Sequence, residues 1–116
     1  MPEGDELAPE DATLVTLARS ARVRTRASEA AAVRDTMGRT YTAVAVALPS
    51  LALTACQAVA AAVVASAGAD LETAVVVSEA REVDDADLAV LSDLGGAVVV
   101  LLVRPDGTVA ARLRLA

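Results

Sequence analysis

Apolar and polar positions follow two periods along this chain, and the switches between them mark the elements. Pro9, Glu10 and Asp11 open a helix, in which Leu14, Leu17, Ala18 and Ala21 recur at helical spacing and form the buried face. Its acids lie at the N-terminus. Its arginines, Arg19, Arg22, Arg24 and Arg26, lie toward the C-terminal end, where the helix dipole favours cations. Residues 29–35 and 39–47 read as two strands of a hairpin, joined by a turn from Asp35 to Gly38. Along the second strand Tyr41, Ala43, Ala45 and Ala47 alternate with Thr40, Thr42, Val44 and Val46. Pro49 then breaks the chain before a helix from about Leu51 to Ala67, with Gly68 as its C-cap.

Residues 72–78 are a continuous run rich in β-branched side chains, the mark of a strand covered on both faces. Residues 84–94 read as a helix with an acidic first turn and an apolar face of Leu88, Leu91 and Leu94, ended by Gly95-Gly96. Residues 97–103 are expected to form the most buried strand. Arg104 to Gly107 is a turn, and residues 108–115 form a half-exposed edge strand. The element order is α-β-β-α-β-α-β-β. Residues 1–8 read as a disordered arm and residues 9–116 as one domain, with no internal repeat and no linker.

The helix over 51–67 is apolar nearly all round, with Gln57 and Ser66 the main exceptions. Such a helix must be covered on more than one side. In so short a chain the second cover is expected from another subunit. Ala58, Ala61, Ala62 and Ala65 are small enough to let two such helices approach closely. The expectation is a homo-oligomer, a dimer first and a tetramer next.

Composition narrows the chemistry. The chain has 116 residues, a net charge of −6, a single cysteine (Cys56) and no histidine. Histidine acid–base catalysis, histidine-activated nucleophiles and histidine metal ligation are therefore excluded. No disulfide can form within the chain, and a lone cysteine fits a reducing compartment, so the expected location is the cytoplasm. The acidic start lacks the basic and apolar regions of a signal peptide. The most apolar stretch, 43–68, is interrupted by Pro49, Ser50, Thr54 and Gln57, and reads as buried protein rather than a membrane span. Every basic residue is an arginine and the only aromatic residue is Tyr41. An acidic chain is a poor binder of phosphate backbones, so DNA is not an expected partner. The arginine cluster reads first as a solvated helix end and second as a patch for RNA or an acidic protein. Gly95-Gly96 follows a helix rather than a strand, so it is not a phosphate-binding loop.

The element order resembles the cytidine deaminase fold: three layers, α/β/α, around a mixed five-stranded sheet. Local sequence carries the resemblance too. The segment 33–47, VRDTMGRTYTAVAVA, resembles the family's first hairpin. The segment 53–68, LTACQAVAAAVVASAG, resembles its zinc helix, typically Leu-Thr-x-Cys-Ala-Glu-Arg. The segment 83–94, VDDADLAVLSDL, is similar in register to Pro-Cys-x-x-Cys and the helix that follows it. The resemblance implies a zinc held by three side chains, a water activated by the metal and a glutamate that shuttles protons.

Those residues are not present. The first ligand position falls on Thr54 or Cys56, depending on the alignment, and the shuttle glutamate is missing under both. The other two ligand positions fall on Asp84 and Asp87. These acids one turn apart could face one point, but they also suit a helix start without any metal. The family's ribose-reading Asn-x-Glu falls near Ala45-Val46-Ala47, which have no hydrogen-bonding side chains. Cys56 on a small-residue helix reads as a buried filler rather than a reactive thiol.

The expectation is therefore a non-catalytic protein of this family, with no cofactor and no catalytic residue, acting by contact with protein or RNA. The short members that lack the zinc site are actinobacterial and encoded beside a ribosome-assembly GTPase, which implies a role around ribosome maturation. The alternative is an active nucleoside deaminase, or another small-molecule enzyme, with an unrecognised site.

Overall fold

The computed structural model describes residues 7–115. The elements are α1 (Pro9–Thr25), β1 (Ala30–Asp35), β2 (Thr40–Val44), β3 (Val46–Leu48), β4 (Leu51–Leu53), α2 (Ala55–Ala65), β5 (Leu71–Val77), α3 (Asp85–Asp93), β6 (Val99–Val103) and β7 (Val109–Arg114). Five strands form one sheet in the order β2-β1-β5-β6-β7, in which only the β5–β6 pair is parallel. β3 and β4 pair separately as a small hairpin.

Alternation sorts the sheet's side chains into two cores. Ala31, Val33, Ala74, Val76, Val100 and Leu102 join the core that holds Cys56, Val59 and Val63 of α2 and Leu91 of α3. Ala30, Ala32, Val75, Val77, Leu101 and Val103 face Leu14, Val15, Ala18 and Ala21 of α1. Three layers result, with α1 on one face and α2 and α3 on the other. The central strands β5 and β6 are buried on both faces, which is why they read as unbroken apolar runs. Burying a leucine such as Leu101 contributes about 2 kcal/mol. β7 is an edge strand, as its alternating pattern predicts.

Three local expectations are corrected. The strand expected over 39–47 stops at Val44, and the helix expected from Leu51 starts at Ala55. Between them the chain turns at Pro49-Ser50 and makes the β3–β4 hairpin. The helix start is set by a capping box: the Thr54 hydroxyl accepts from the Gln57 N–H, and the Gln57 side chain accepts from the Thr54 N–H. Gly68 is not the residue that caps α2. Ser66 is the C-cap, Ala67 takes the left-handed conformation at φ 52°, and the Gly68 N–H reaches back to the Val63 carbonyl at 2.8 Å. Gly68 is needed for space instead, because a Cβ there would lie 2.7 Å from Val63 Cγ1 and 2.9 Å from the Tyr41 hydroxyl. Of the arm predicted over residues 1–8, residues 1–6 lie outside the described residues, while Leu7 packs against the core on the α1 side.

Asp35 ties these parts together. It ends β1 at a bulge, and its buried carboxylate accepts five hydrogen bonds. The donors are the N–H groups of Met37, Arg39 and Ala69, the Arg39 Nε and the Tyr41 hydroxyl, at 2.9–3.2 Å. The turn of the first hairpin and the end of α2 are thus fastened to one side chain. Burial alone would raise the Asp35 pKa. The donated hydrogen bonds outweigh it and bring the pKa down to about 2.

A carboxyl group with a lowered pKa stabilises the fold wherever it is charged. The stabilisation is complete above the ordinary value and is lost as pH falls toward the folded value. Thermal unfolding followed by circular dichroism should give a Tm that is level near neutral pH. The Tm should then fall between about pH 4 and about pH 2. In Asp35→Asn, Tm at neutral pH should drop by roughly 10 °C and this acid limb should flatten. An unchanged acid limb in the variant would show that other carboxylates set it.

Candidate functional site

The carboxyl ends of the parallel strands β5 and β6 are where an α/β sheet offers a crevice. Here the N-termini of α2 and α3 meet at that end. Between them lies a pocket lined by Glu29, Thr54, Ser78, Glu82, Asp84 and Asp87, with Val76, Ala80, Val83 and Leu102 as its apolar part.

Its polar side chains are largely occupied by one another. The Thr54 hydroxyl donates to Asp87 Oδ1 at 2.8 Å, joining the first turn of α3 to the start of α2. The Ser78 hydroxyl donates to Glu29 Oε2 at 2.8 Å and accepts from the Ala80 N–H. Arg104, just past β6, donates to the Ser78 and Ala80 carbonyls and holds the loop that leads to α3. The remaining cavity is about 50 Å³. That is room for a few waters. Sites for drug-sized ligands are typically ~300 Å³ or more.

The four positions singled out by sequence are brought to this region but do not converge on one point. Asp84 is the N-cap of α3, is exposed and makes no cap hydrogen bond with its side chain. Asp87 is buried and bound to Thr54. Cys56 lies in the core on the α2 side with Val59 and Val63. Burial first, then the nearby carboxylates of Asp87 and Glu29, push its thiol pKa up to about 12. A zinc site needs deprotonated sulfur or nitrogen donors arranged tetrahedrally. These residues supply a hydroxyl, a single thiol set in the core, one exposed carboxylate and one carboxylate already bound to Thr54. Among the described residues no three Cys, Asp or Glu side chains are grouped so as to hold a metal ion. The donor set does not fit zinc.

The arginine cluster separates into parts. The Arg19 Nε donates to the Pro105 carbonyl at 2.9 Å, beside the β6–β7 turn. The Arg22 Nε donates to the Ser28 carbonyl, and its Nη2 lies 3.9 Å from Glu79. Arg24 is exposed on the outer face of α1, and Arg26 is the left-handed C-cap. On α2, Ala61 and Ala65 are exposed while Ala58 and Ala62 are half-buried. Sequence reasoning read α2 as apolar nearly all round but did not anticipate the leucines of the β3–β4 hairpin. Val64 is 70% exposed, and the β3–β4 hairpin leaves Leu48 60% and Leu51 48% exposed. No helix among the described residues is long and apolar enough to cross a membrane.

Comparison with protein-family models matches residues 7–107 to the family described as cytidine deaminase-like. Comparison with curated proteins gives no match. Among solved structures, the cytidine deaminase of Mycobacterium leprae is 23% identical, with a TM-score of 0.68 over 90% of this chain and 96% of that one. The cytidine deaminase of Burkholderia pseudomallei is 22% identical, with a TM-score of 0.71 over 88% of this chain and 90% of that one. The enzyme of Mycobacterium tuberculosis is 25% identical, with a TM-score of 0.65 over 76% and 80%. A family match over most of the length and a shared three-layer architecture lead to one conclusion: the chain belongs to the cytidine deaminase-like family.

Proposed function

We propose that this chain is a non-catalytic member of its family that works by contact with other macromolecules. The observation that carries the reading is the pairing of Thr54 with Asp87 between the starts of α2 and α3. Where a deaminase needs a metal-activated water, this chain has a closed hydrogen bond and a cavity of about 50 Å³. Neither a metal-activated hydroxide nor a general acid–base carboxylate aimed at a substrate can be assigned there. The resemblance to short actinobacterial members supports a partner, protein or RNA, around ribosome maturation. Purified protein incubated with zinc and then desalted should retain substoichiometric metal, and it should not turn over cytidine or deoxycytidine. One tightly held zinc per chain, or turnover above the buffer control, would favour an active nucleoside deaminase instead.

We also propose that the outer face of α2 is a contact between copies of the chain. Ala58, Ala61, Ala62 and Ala65 share one face of α2 at helical spacing, and Val64 on the same helix is exposed. An apolar surface of this kind marks an interface more often than a solvated face. A dimer or a tetramer would cover it. Sedimentation across a dilution series should give a mass of two or four chains. Ala61→Arg should lower it to one chain with the circular dichroism spectrum unchanged, because Ala61 is exposed within the chain and a guanidinium is costly only inside the contact. A wild-type monomer at micromolar concentration would refute the interface.

A further inference from the structure

The outward face of α1 carries a groove that the site above does not use. Thr16, Arg19, Ser20, Val23 and Arg24 follow the helical spacing that puts them on one side, and Pro105 of the β6–β7 turn forms a ledge beside them. The groove is open and about 520 Å³ in volume, roughly ten times the pocket at the helix starts. Two features set it apart from an ordinary solvated helix face. The first is Val23, which is 73% exposed between two arginines. The second is that Arg19 is held in place. Its Nε is bound to the Pro105 carbonyl, and the turn at Gly107 comes so close that a Cβ there would lie 3.0 Å from Arg19 Nη1. Holding the Nε fixes the direction of the remaining donors of the planar group.

We propose that this groove binds an acidic segment of a partner protein, with carboxylates on Arg19 and Arg24 and an aliphatic side chain on Val23. The inference rests on the reading of the chain as an interaction protein and names the partner's chemistry. Charge complementarity selects the occupant. In a chain of net charge −6, α1 holds three of the ten basic residues, two of them on this groove, and Arg26 caps it. Arginine pairs with carboxylate in a fork geometry, and neither Arg19 nor Arg24 has an ion pair among those found in the described residues. Asp106, next to Pro105, is the acid facing Arg19 from the turn. It accepts from the Thr108 hydroxyl and N–H and makes no ion pair with Arg19 among those found in the described residues.

A nucleic acid is the less suitable occupant. Single strands are held by rows of cations and by aromatic faces on which bases stack. The only aromatic residue, Tyr41, is bound to Asp35 in the first hairpin, and Arg22 is turned away toward Ser28 and Glu79.

The test is fluorescence anisotropy with three labelled probes: a short peptide alternating Glu and Leu, one alternating Glu and Ser, and an oligouridylate of matched charge. The Glu-Leu peptide should bind saturably and most tightly. Arg24→Gln should weaken it, and Arg19→Gln with Arg24→Gln should weaken it at least about tenfold. Arg22→Gln should leave it unchanged. Val23→Ser should remove the advantage of Glu-Leu over Glu-Ser. Thermal unfolding of each variant separates loss of binding from loss of fold. If oligouridylate binds more tightly and loses affinity in the same variants, the groove is a nucleic-acid surface and the peptide assignment is overturned. If no probe binds, the groove is not a docking site, while the non-catalytic reading stands or falls separately on zinc retention and turnover.

Discussion

A buried carboxylate must be satisfied or the fold around it fails, and here the requirement falls on Asp35. Its five donors come from the turn after β1, from the start of β2 and from the residue after Gly68. The chain therefore meets the demand only when the hairpin, the end of α2 and the entry to β5 are assembled together. The packing of Gly68 against the Tyr41 hydroxyl belongs to the same cluster. Without this polar knot, the layer built on α2 would depend on small apolar side chains, which specify position weakly. The knot gives α2 a fixed end point, and the position of its N-terminus over the strand ends follows.

What was legible in the sequence was what period and composition control. β5 and β6 are buried on both faces and read as apolar runs, whereas β7 is an edge and alternates. The hairpin at residues 46–53 was not read, because alanine and leucine around Pro49 have no period short enough to separate two three-residue strands. The start of α2 could have been found, since Thr54 and Gln57 have the spacing of a capping box. Of the site residues, Thr54, Cys56, Asp84 and Asp87 were singled out by resemblance alone, and the fold brings Thr54, Asp84 and Asp87 to one pocket. The engagement of Asp87 with Thr54, and of Arg19 with Pro105, spans 33 and 86 positions of chain. Contacts that long leave no periodic trace.

The two helix starts have a local physical logic of their own. A helix start welcomes carboxylates and hydroxyls because unpaired N–H groups and the dipole favour them. Thr54, Asp84 and Asp87 suit those positions on local grounds, with no need for a metal. The Thr54–Asp87 hydrogen bond then links α2 to α3 by a neutral donor and a carboxylate. Cys56 is set into the core beside Val59 and Val63, where burial raises its thiol pKa.

Ala30, Ala31 and Ala32 stand consecutively in β1, fully covered, with α1 against one face and the α2 core against the other. On this strand, next to the central one, the contacts to both helical layers are made by methyl groups. Enlarging any of these side chains would push a helix outward, and overpacking typically costs about 1–3 kcal/mol. Exposed positions on the outer face of α1 and at the start of α3 carry no such steric limit. Under mutation this chain is therefore unevenly tolerant: residues 30–32 accept little beyond alanine, while its outward surfaces accept many side chains.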